Sequence, residues 1–409
     1  MCDLPTVKVS ECCDILDNLR IPLNAEEREK IKGNIPYCGA NGIQGYISEY
    51  IFDEDLILLA EDGGNFDEYQ TRPIAYRISG KSWVNNHAHV LRAKEGYDFS
   101  FVFYSLQHKN IIPFIKGGTR AKLNQAELRE ITIWDAPLPI QQRIGEIIET
   151  IDNQIDATQA LIDKYTAIKQ GMMADLFSRG IDPETKALRP TFEEAPELYH
   201  KTPLGMLPKE WDVKTLGDIS EKITSGSRDW AKFYSSEGDL FVRISNLTRE
   251  HVNFRWNSVK YVNIGGGSEG ERTQLQPGDI LVSITADLGI VGVVPEDMGR
   301  AYINQHTALI RLATDGENAR FIGNYLSSRR GQEQFEKNND SGAKAGINLP
   351  TIASLRCPTP EGKEQILIAS KIDALDEVIA DLKREKSKSL SLKQGLMQDL
   401  LTGKVSVPA

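Results

Sequence analysis

The chain has 409 residues, 40% of them hydrophobic and 26% charged, and a net charge of −10. That is room for two or three domains of ordinary globular composition. No apolar run approaches the roughly 18 residues of a membrane span, and the acidic, polar start does not read as a signal peptide. The net charge argues mildly against nucleic acid as a partner, but a binding face needs a local field rather than a basic whole.

The five cysteines (Cys2, Cys12, Cys13, Cys38, Cys357) are odd in number and have no paired spacing. They are expected to be buried free thiols in a reducing cytoplasm rather than a disulfide framework. A first strand is expected over Asp55–Ala60, followed by the acids Glu61 and Asp62 in a loop with no partner that the sequence identifies. Val84-Asn85-Asn86-His87 reads as a strand end, and Phe101–Leu106 as a short helix bearing aromatics. Ser105 to Asn124 carries Lys109, Lys116, Arg120 and Lys122 and no acid. Pro137 and Pro139 stop the strand before them and set the start of a long helix.

That helix runs through Ile144–Leu176 with apolar residues at heptad spacing: Ile144, Ile148, Ile151, Ile155, Ile162, Tyr165, Met172 and Leu176. Gly180 and Pro183 end it. The stretch 181–210, with Pro183, Pro190, Pro196, Pro203 and Pro208, reads as an extended surface linker. Strands are expected over Asp239–Ser245 and, after the Pro277-Gly278 turn signal, over Asp279–Ile284. Pro358 and Pro360 precede a second long helix, Ile368–Leu400, which Gly403 stops.

The two long helices are one sequence written twice. At an offset of 224 residues eleven positions are identical, among them Asp152/Asp376, Lys169/Lys393 and Gly171/Gly395. The offset is a multiple of seven, so the heptad phase is kept and the two helices are each other's natural partners. Polar residues interrupt the seam at Thr158, Lys169, Lys386, Ser389 and Lys393. Such residues weaken a coiled coil but fix its register. The repeat extends outward: Asn85-Asn86-His87 returns as Asn304-Gln305-His306, Phe101–Leu106 as Phe321–Leu326, and Leu123-Asn124 as Ile347-Asn348. The predicted fold is α/β (α+β): two domains with mostly antiparallel sheets, separated by two antiparallel coiled-coil helices with an internal pseudo-two-fold repeat. The boundaries are 1–138, 139–180, 181–210, 211–358 and 359–409.

Catalytic signatures are missing. The chain has no Pro-Pro pair for a methyltransferase tetrapeptide, and no phosphate-binding G-x-x-x-x-G-K. Gly265-Gly266-Gly267 with Gly270 lacks dinucleotide spacing and reads as a surface loop. The six histidines show no metal-ligand spacing, and the matching places of His87 and His306 favour a structural role.

The two Lys-Gln-Gly helices, the stretch Gly180–Trp211 and the segments Pro36–Ile43, Gln276–Leu281, Ile303–Gln305 and Ala345–Pro350 resemble the specificity subunit of Type I restriction–modification enzymes. The resemblance covers nearly the whole chain through the order and duplication of weak motifs. It implies a non-catalytic, cytoplasmic DNA reader with two target-recognition domains, each taking one half of a bipartite, asymmetric sequence in double-stranded DNA. It further implies two modification (methyltransferase) and two restriction (translocase–nuclease) subunits as partners. S-adenosylmethionine, ATP and magnesium belong to those partners, with no cofactor or metal in this chain. The paired helices, roughly 50 Å each at 1.5 Å per residue, would act as the ruler between half-sites. The alternative is a duplicated protein–protein scaffold without nucleic-acid contact.

Reading DNA calls for Lys, Arg and backbone N–H on phosphates, and Arg, Asn, Gln, Ser and Thr on base edges. The candidates are Asn41, Lys81, Asn85, Lys116, Arg120 and Lys122 in the first domain. In the second they are Ser225, Arg228, Arg243, Asn246, Arg330 and Lys344. Asn85 and its repeat Asn304 serve equally well as backbone caps.

Overall fold

The computed structural model describes residues 4–116, 121–264, 268–313, 318–338 and 346–408. It divides into two units, Met1–Ala160 with Lys383–Ala409, and Leu161–Leu382. Each unit holds one α/β domain and part of both long helices, which run Leu138–Leu176 and Gly362–Leu400.

In the first unit a four-stranded antiparallel sheet takes the order Cys13–Ile15, Ala88–Ala93, Leu56–Ala60, Ala75–Ile78. Leu56–Ala60 is buried along its whole length, as an unbroken apolar run requires. A second sheet takes the order Gly42–Ile47, Lys32–Gly39, Lys81–Val84, Phe52–Asp53, with its central pair parallel. The helix Phe99–Gln107 packs Phe101, Val102 and Leu106 into the same core as Ile144 and Ile148 from the start of the first long helix. Met397 and Leu400, from the end of the second long helix, complete that core. The start of one helix and the end of the other thus meet on one domain, which makes them antiparallel there.

The second unit repeats this frame. Ser220–Ser225, Thr307–Leu312, Ile280–Ser283 and Val291–Val293 form the matching antiparallel sheet in the matching order. Its core takes Ile368 and Ile372 from the start of the second long helix and Leu176 and Phe177 from the end of the first. The companion sheet keeps the first unit's antiparallel and parallel pairings in three strands but differs in its fourth. Its order is Tyr234–Ser235, Tyr261–Val262, Asp239–Val242, Ala301–Ile303, and only the pairing of the last two is parallel. Strand Asp239–Val242 is shorter than the sequence suggests, because Ile244–Asn246 winds into a 3-10 turn closed by the Asn246 side chain.

The proline-rich stretch 181–210 is not a plain extended linker. Tyr199–Thr202 and Gly205–Pro208 pair as a hairpin. Just beyond it, Trp211 is fully buried and donates from Nε1 to Glu364 Oε2 at 3.1 Å. Arg189 Nη2 reaches the same carboxylate oxygen at 3.0 Å, and the Ile181 N–H donates to Oε1 at 2.8 Å. A buried carboxylate needs such donors, and together they pin both ends of this segment to the start of the second long helix. Gly180 turns with φ 66°, and a Cβ there would run into Glu364 and Trp211.

Two glutamines, again 224 residues apart, anchor the helix starts. Gln141 donates to Ala136 O at 2.8 Å and accepts from Asp98 N at 2.9 Å. Gln365 donates to Pro360 O at 2.9 Å and accepts from Asn318 N at 2.8 Å. Asp98 and Asn318 are the N-caps of the matching short helices Phe99–Gln107 and Ala319–Ser327. Extending the sequence repeat three residues upstream of Ile144 would have found this pair.

Candidate nucleic-acid interface

The first domain's candidates divide by what their side chains already touch. Asn85 is buried; its Oδ1 accepts from His87 N at 2.8 Å and its Nδ2 donates to Gln44 Oε1 at 3.1 Å. Its repeat Asn304 accepts from His306 N at 3.2 Å. Both asparagines therefore close the same turn, a use their short polar side chains suit. Asn41 is exposed and donates to Gly63 O at 2.8 Å. Lys81 is exposed, with Nζ 4.5 Å from the centre of the Tyr50 ring.

Lys116 and Lys122 face each other across a backbone bridge, and each has an acid of its own. Lys116 pairs with Glu127, and Lys122 lies 2.9 Å from Glu61. Arg120 lies outside the described residues, as do Lys344, Cys2 and the cluster Gly265-Gly266-Gly267. The other four cysteines are buried and none forms a disulfide.

Glu61 and Asp62, which the sequence leaves without partners, are among the most engaged residues of the domain. Glu61 meets Arg20 at 2.6 Å as well as Lys122, and Asp62 meets His87 Nδ1 at 2.6 Å. Beside them Asp17 and His89 are buried together, with Asp17 Oδ2 2.7 Å from His89 Nδ1. Asp17 also accepts from Val90 N and from Gln125 Nε2, both at 3.0 Å. Burial by itself would raise the Asp17 carboxyl, but the hydrogen bond and charge of His89, with those two donors, hold it below the usual range. The same contest lowers Glu61: burial opposes ionisation, and Lys122 and Arg20 outweigh it.

Asp17, Glu61 and His89 bring three potential metal ligands within 4.8 Å of one another. In this structure each of them already has protein partners. Arg20 and Lys122 supply the positive charge, and the second ring nitrogen of His89 lies 2.9 Å from Leu123 O. The cluster ties the strand Ala88–Ala93, residues 122–125 and the N-terminal 3-10 turn Asp17–Leu19 into one frame.

In the second domain Ser225 accepts through its carbonyl from Arg272 at 2.7 Å. Arg272 also reaches Ser227 Oγ at 2.7 Å. Arg243 and Asn246 converge on Ser258: Arg243 Nη2 donates to its carbonyl at 3.0 Å and Asn246 Nδ2 at 3.1 Å. With its Oδ1 on Arg243 N and its amide on Arg255 O and Ser258 O, Asn246 is committed to the fold. Arg330 leans on Phe177 O at 3.4 Å. Arg228 is exposed and has no ion pair among the described residues, which leaves it available to a phosphate. His306 repeats His87, its Nδ1 2.8 Å from Thr285 Oγ1. Both histidines are thus held at the end of the same strand, as a structural role requires.

Comparison with known proteins bears on this arrangement. The family model "Type I restriction modification DNA specificity domain" matches twice, over residues 2–166 and 208–392. The MjaVIII specificity subunit of a type I restriction enzyme from Methanocaldococcus jannaschii is 23% identical over 398 residues, 93% of this chain and 88% of that one. A putative MjaX specificity subunit from the same organism is 28% identical over 75% of this chain and 68% of its own length. A putative type I specificity subunit of Haemophilus influenzae is 38% identical over 144 residues, 35% of this chain and 36% of that one. Among solved structures, the S subunit of a type I system from M. genitalium superposes with a TM-score of 0.64 at 14% identity, over 98% of this chain and 97% of its own. No helix among the described residues is long and apolar enough to cross a membrane.

Proposed function

The chain belongs to the Type I restriction–modification specificity-subunit family, and from that premise we propose that it reads a bipartite, asymmetric sequence in double-stranded DNA, one half-site per domain. The observation that carries this reading is the contrast between the two sheets of each domain. The helix-bearing sheet is built to one plan in both units, while the companion sheets share only a three-strand core and differ in the fourth strand, Phe52–Asp53 beside Lys81–Val84 in one and Tyr234–Ser235 beside Tyr261–Val262 in the other. A shared frame suits common docking; different companion sheets suit different half-sites.

In this reading the subunit itself performs no chemistry. Two modification subunits and two restriction subunits dock on it in the cytoplasm and bring S-adenosylmethionine, ATP and magnesium. The net charge of −10 leaves part of the phosphate clamp to those partners. Of this chain's own residues, Arg228, Lys81 and Asn41 are the best placed of the sequence candidates to touch DNA, being exposed and, unlike the exposed Lys116, not held in an ion pair among the described residues.

The test is a mobility shift over random duplexes with the modification partner present, followed by sequencing of the methylated sites. A split target with two unlike halves is the expected result. Binding without sequence preference, or assembly of partner copies with no DNA retained, would leave a scaffold instead. Calorimetry of the chain alone should detect no tight binding of S-adenosylmethionine.

A further inference from the structure

The first domain has a concavity of about 480 Å³ at the edge of its companion sheet, lined in part by Arg28, Tyr37, Gln44, Asn85 and Asn86. Its features are those of a prepared reader. The Arg28 guanidinium lies over the Tyr37 ring, 5.1 Å from its centre. Among the described residues it makes no ion pair, and its Nε is closed off from solvent with no hydrogen-bond partner. An unpaired buried donor is unfavourable, so this guanidinium gains when an acceptor is brought to it. Glu27, one residue away, does not neutralise it: that carboxylate accepts from Asn24 N at 2.8 Å as part of the helix cap.

Gln44 is placed with similar care. The buried Asn85 amide holds its Oε1 at 3.1 Å, and the absence of a Cβ at Gly39 leaves room for its amide nitrogen. Asn86, next to the buried Asn85, is exposed. A stacked, uncommitted guanidinium beside an oriented carboxamide matches the edges of bases in a major groove. There an arginine fork pairs with guanine O6 and N7, and a glutamine amide with adenine.

We propose that Arg28 and Gln44 are specificity-determining residues of the first half-site, with Arg28 reading a guanine and Asn85 positioning Gln44. The inference rests on the DNA-reading function above and names the residues that would carry it. Stacking on Tyr37 restricts the guanidinium before DNA arrives, so less freedom is lost on binding.

The test uses the whole chain assembled with its modification subunits, on duplexes carrying the target found by methylation sequencing. Each guanine of the first half-site is replaced in turn by 7-deazaguanine, which lacks the N7 acceptor. One position should weaken binding by roughly fivefold, the lower end of the range for a bidentate base contact, because O6 still accepts. The Arg28→Ala and Arg28→Lys complexes should both relax that position while keeping the second half-site, and Arg28→Ala should lose no further affinity when 7-deazaguanine is present. Gln44→Leu should relax a neighbouring position. Asn85→Ala should relax that same position while Arg28 reading persists, which a general loss of folding would not produce. A half-site without guanine, or an effect of 7-deazaguanine that survives in Arg28→Ala, would overturn the assignment. So would a loss in Arg28→Ala that is uniform over sequences and restored by Arg28→Lys, since that marks a phosphate contact. Failure of the unaltered complex to select any sequence is a separate outcome and overturns the DNA-reading function itself.

Discussion

Lys393 Nζ lies 2.6 Å from Asp152 Oδ1, and both residues reappear 224 positions away as a second ion pair, Lys169 with Asp376 at 2.5 Å. In each unit the lysine near the end of one long helix meets the aspartate near the start of the other. Lys393 also approaches Gln107 at 3.3 Å, and Lys169 donates to Glu250 O at 2.7 Å. Two polar seam residues thus join helix to helix and helix to domain at once, and they can do so only when the helices run antiparallel.

The two pairs are not equal in energy. Asp152 also accepts from Tyr104 at 2.8 Å and is partly solvated, whereas Asp376 is buried and its Oδ2 has no hydrogen-bond partner among the described residues. Lys169→Ala should therefore cost about 3–5 kcal/mol, the range for stranding a buried charge, and Lys393→Ala less. Chemical denaturation will measure both. The double change Lys169→Met with Asp376→Leu should recover most of the loss, because an apolar pair replaces two buried charges. Burial pushes the Asp376 carboxyl up, with Lys169 opposing it. A raised carboxylate costs stability above its folded pKa and is relieved as pH falls through it. Without Lys169 the rise is larger, so the deficit of Lys169→Ala should shrink in acid.

Asp17 and Glu61 give the opposite pH dependence. Both are held below the usual carboxylate range, so the unfolded chain binds more protons than the folded one. Their contribution is present above their unfolded values, near about 4, and is lost as pH falls through the folded values. The urea midpoint of the native chain should drop between about pH 5 and pH 3, and that drop should be smaller in Asp17→Asn.

Gln141 and Gln365 should behave as a matched pair. Gln141→Leu strands the Asp98 N–H and the Ala136 carbonyl, and Gln365→Leu strands the Asn318 N–H and the Pro360 carbonyl. Each change should cost about 1–3 kcal/mol in denaturant unfolding. The two costs should be additive, because each glutamine serves its own core.

Salt dependence separates the engaged lysines from free ones. Lys116 and Lys122 already hold Glu127 and Glu61. Replacing both with Ala should flatten the slope of log affinity against log salt by less than about 0.9 per residue. A full 0.9 for each would mean that the ion pairs open on DNA. Arg228→Ala, at a residue with no ion pair among the described residues, should give close to the full change.

Much of the architecture was written locally and could be read without coordinates. The heptad stripe from Ile144 to Leu176, its in-phase copy, and the glycines and prolines at the helix ends depend on residues three to seven apart. So do the strands Leu56–Ala60 and Ile280–Ser283, whose apolar runs stand between turn signals. The identity of the repeat alone made the two long helices partners.

Tertiary structure decided what each polar group does. Whether Asn85 or Asn86 faces outward depends on how the turn after Lys81–Val84 closes, and the buried side chain proved to be Asn85. Glu61 looked isolated because its partners are 41 residues before it and 61 after it in the chain. Arg28 sits in the short helix Ala25–Lys30, among acids that suggest a solvated surface. Only the approach of Tyr37, on a strand of the companion sheet, makes it a candidate reader. Secondary structure follows from neighbours in sequence, but the charge and hydrogen-bond state of a side chain follows from groups that long-range packing brings to it. For that reason the frame was legible in the sequence and the proposed reading surface was not.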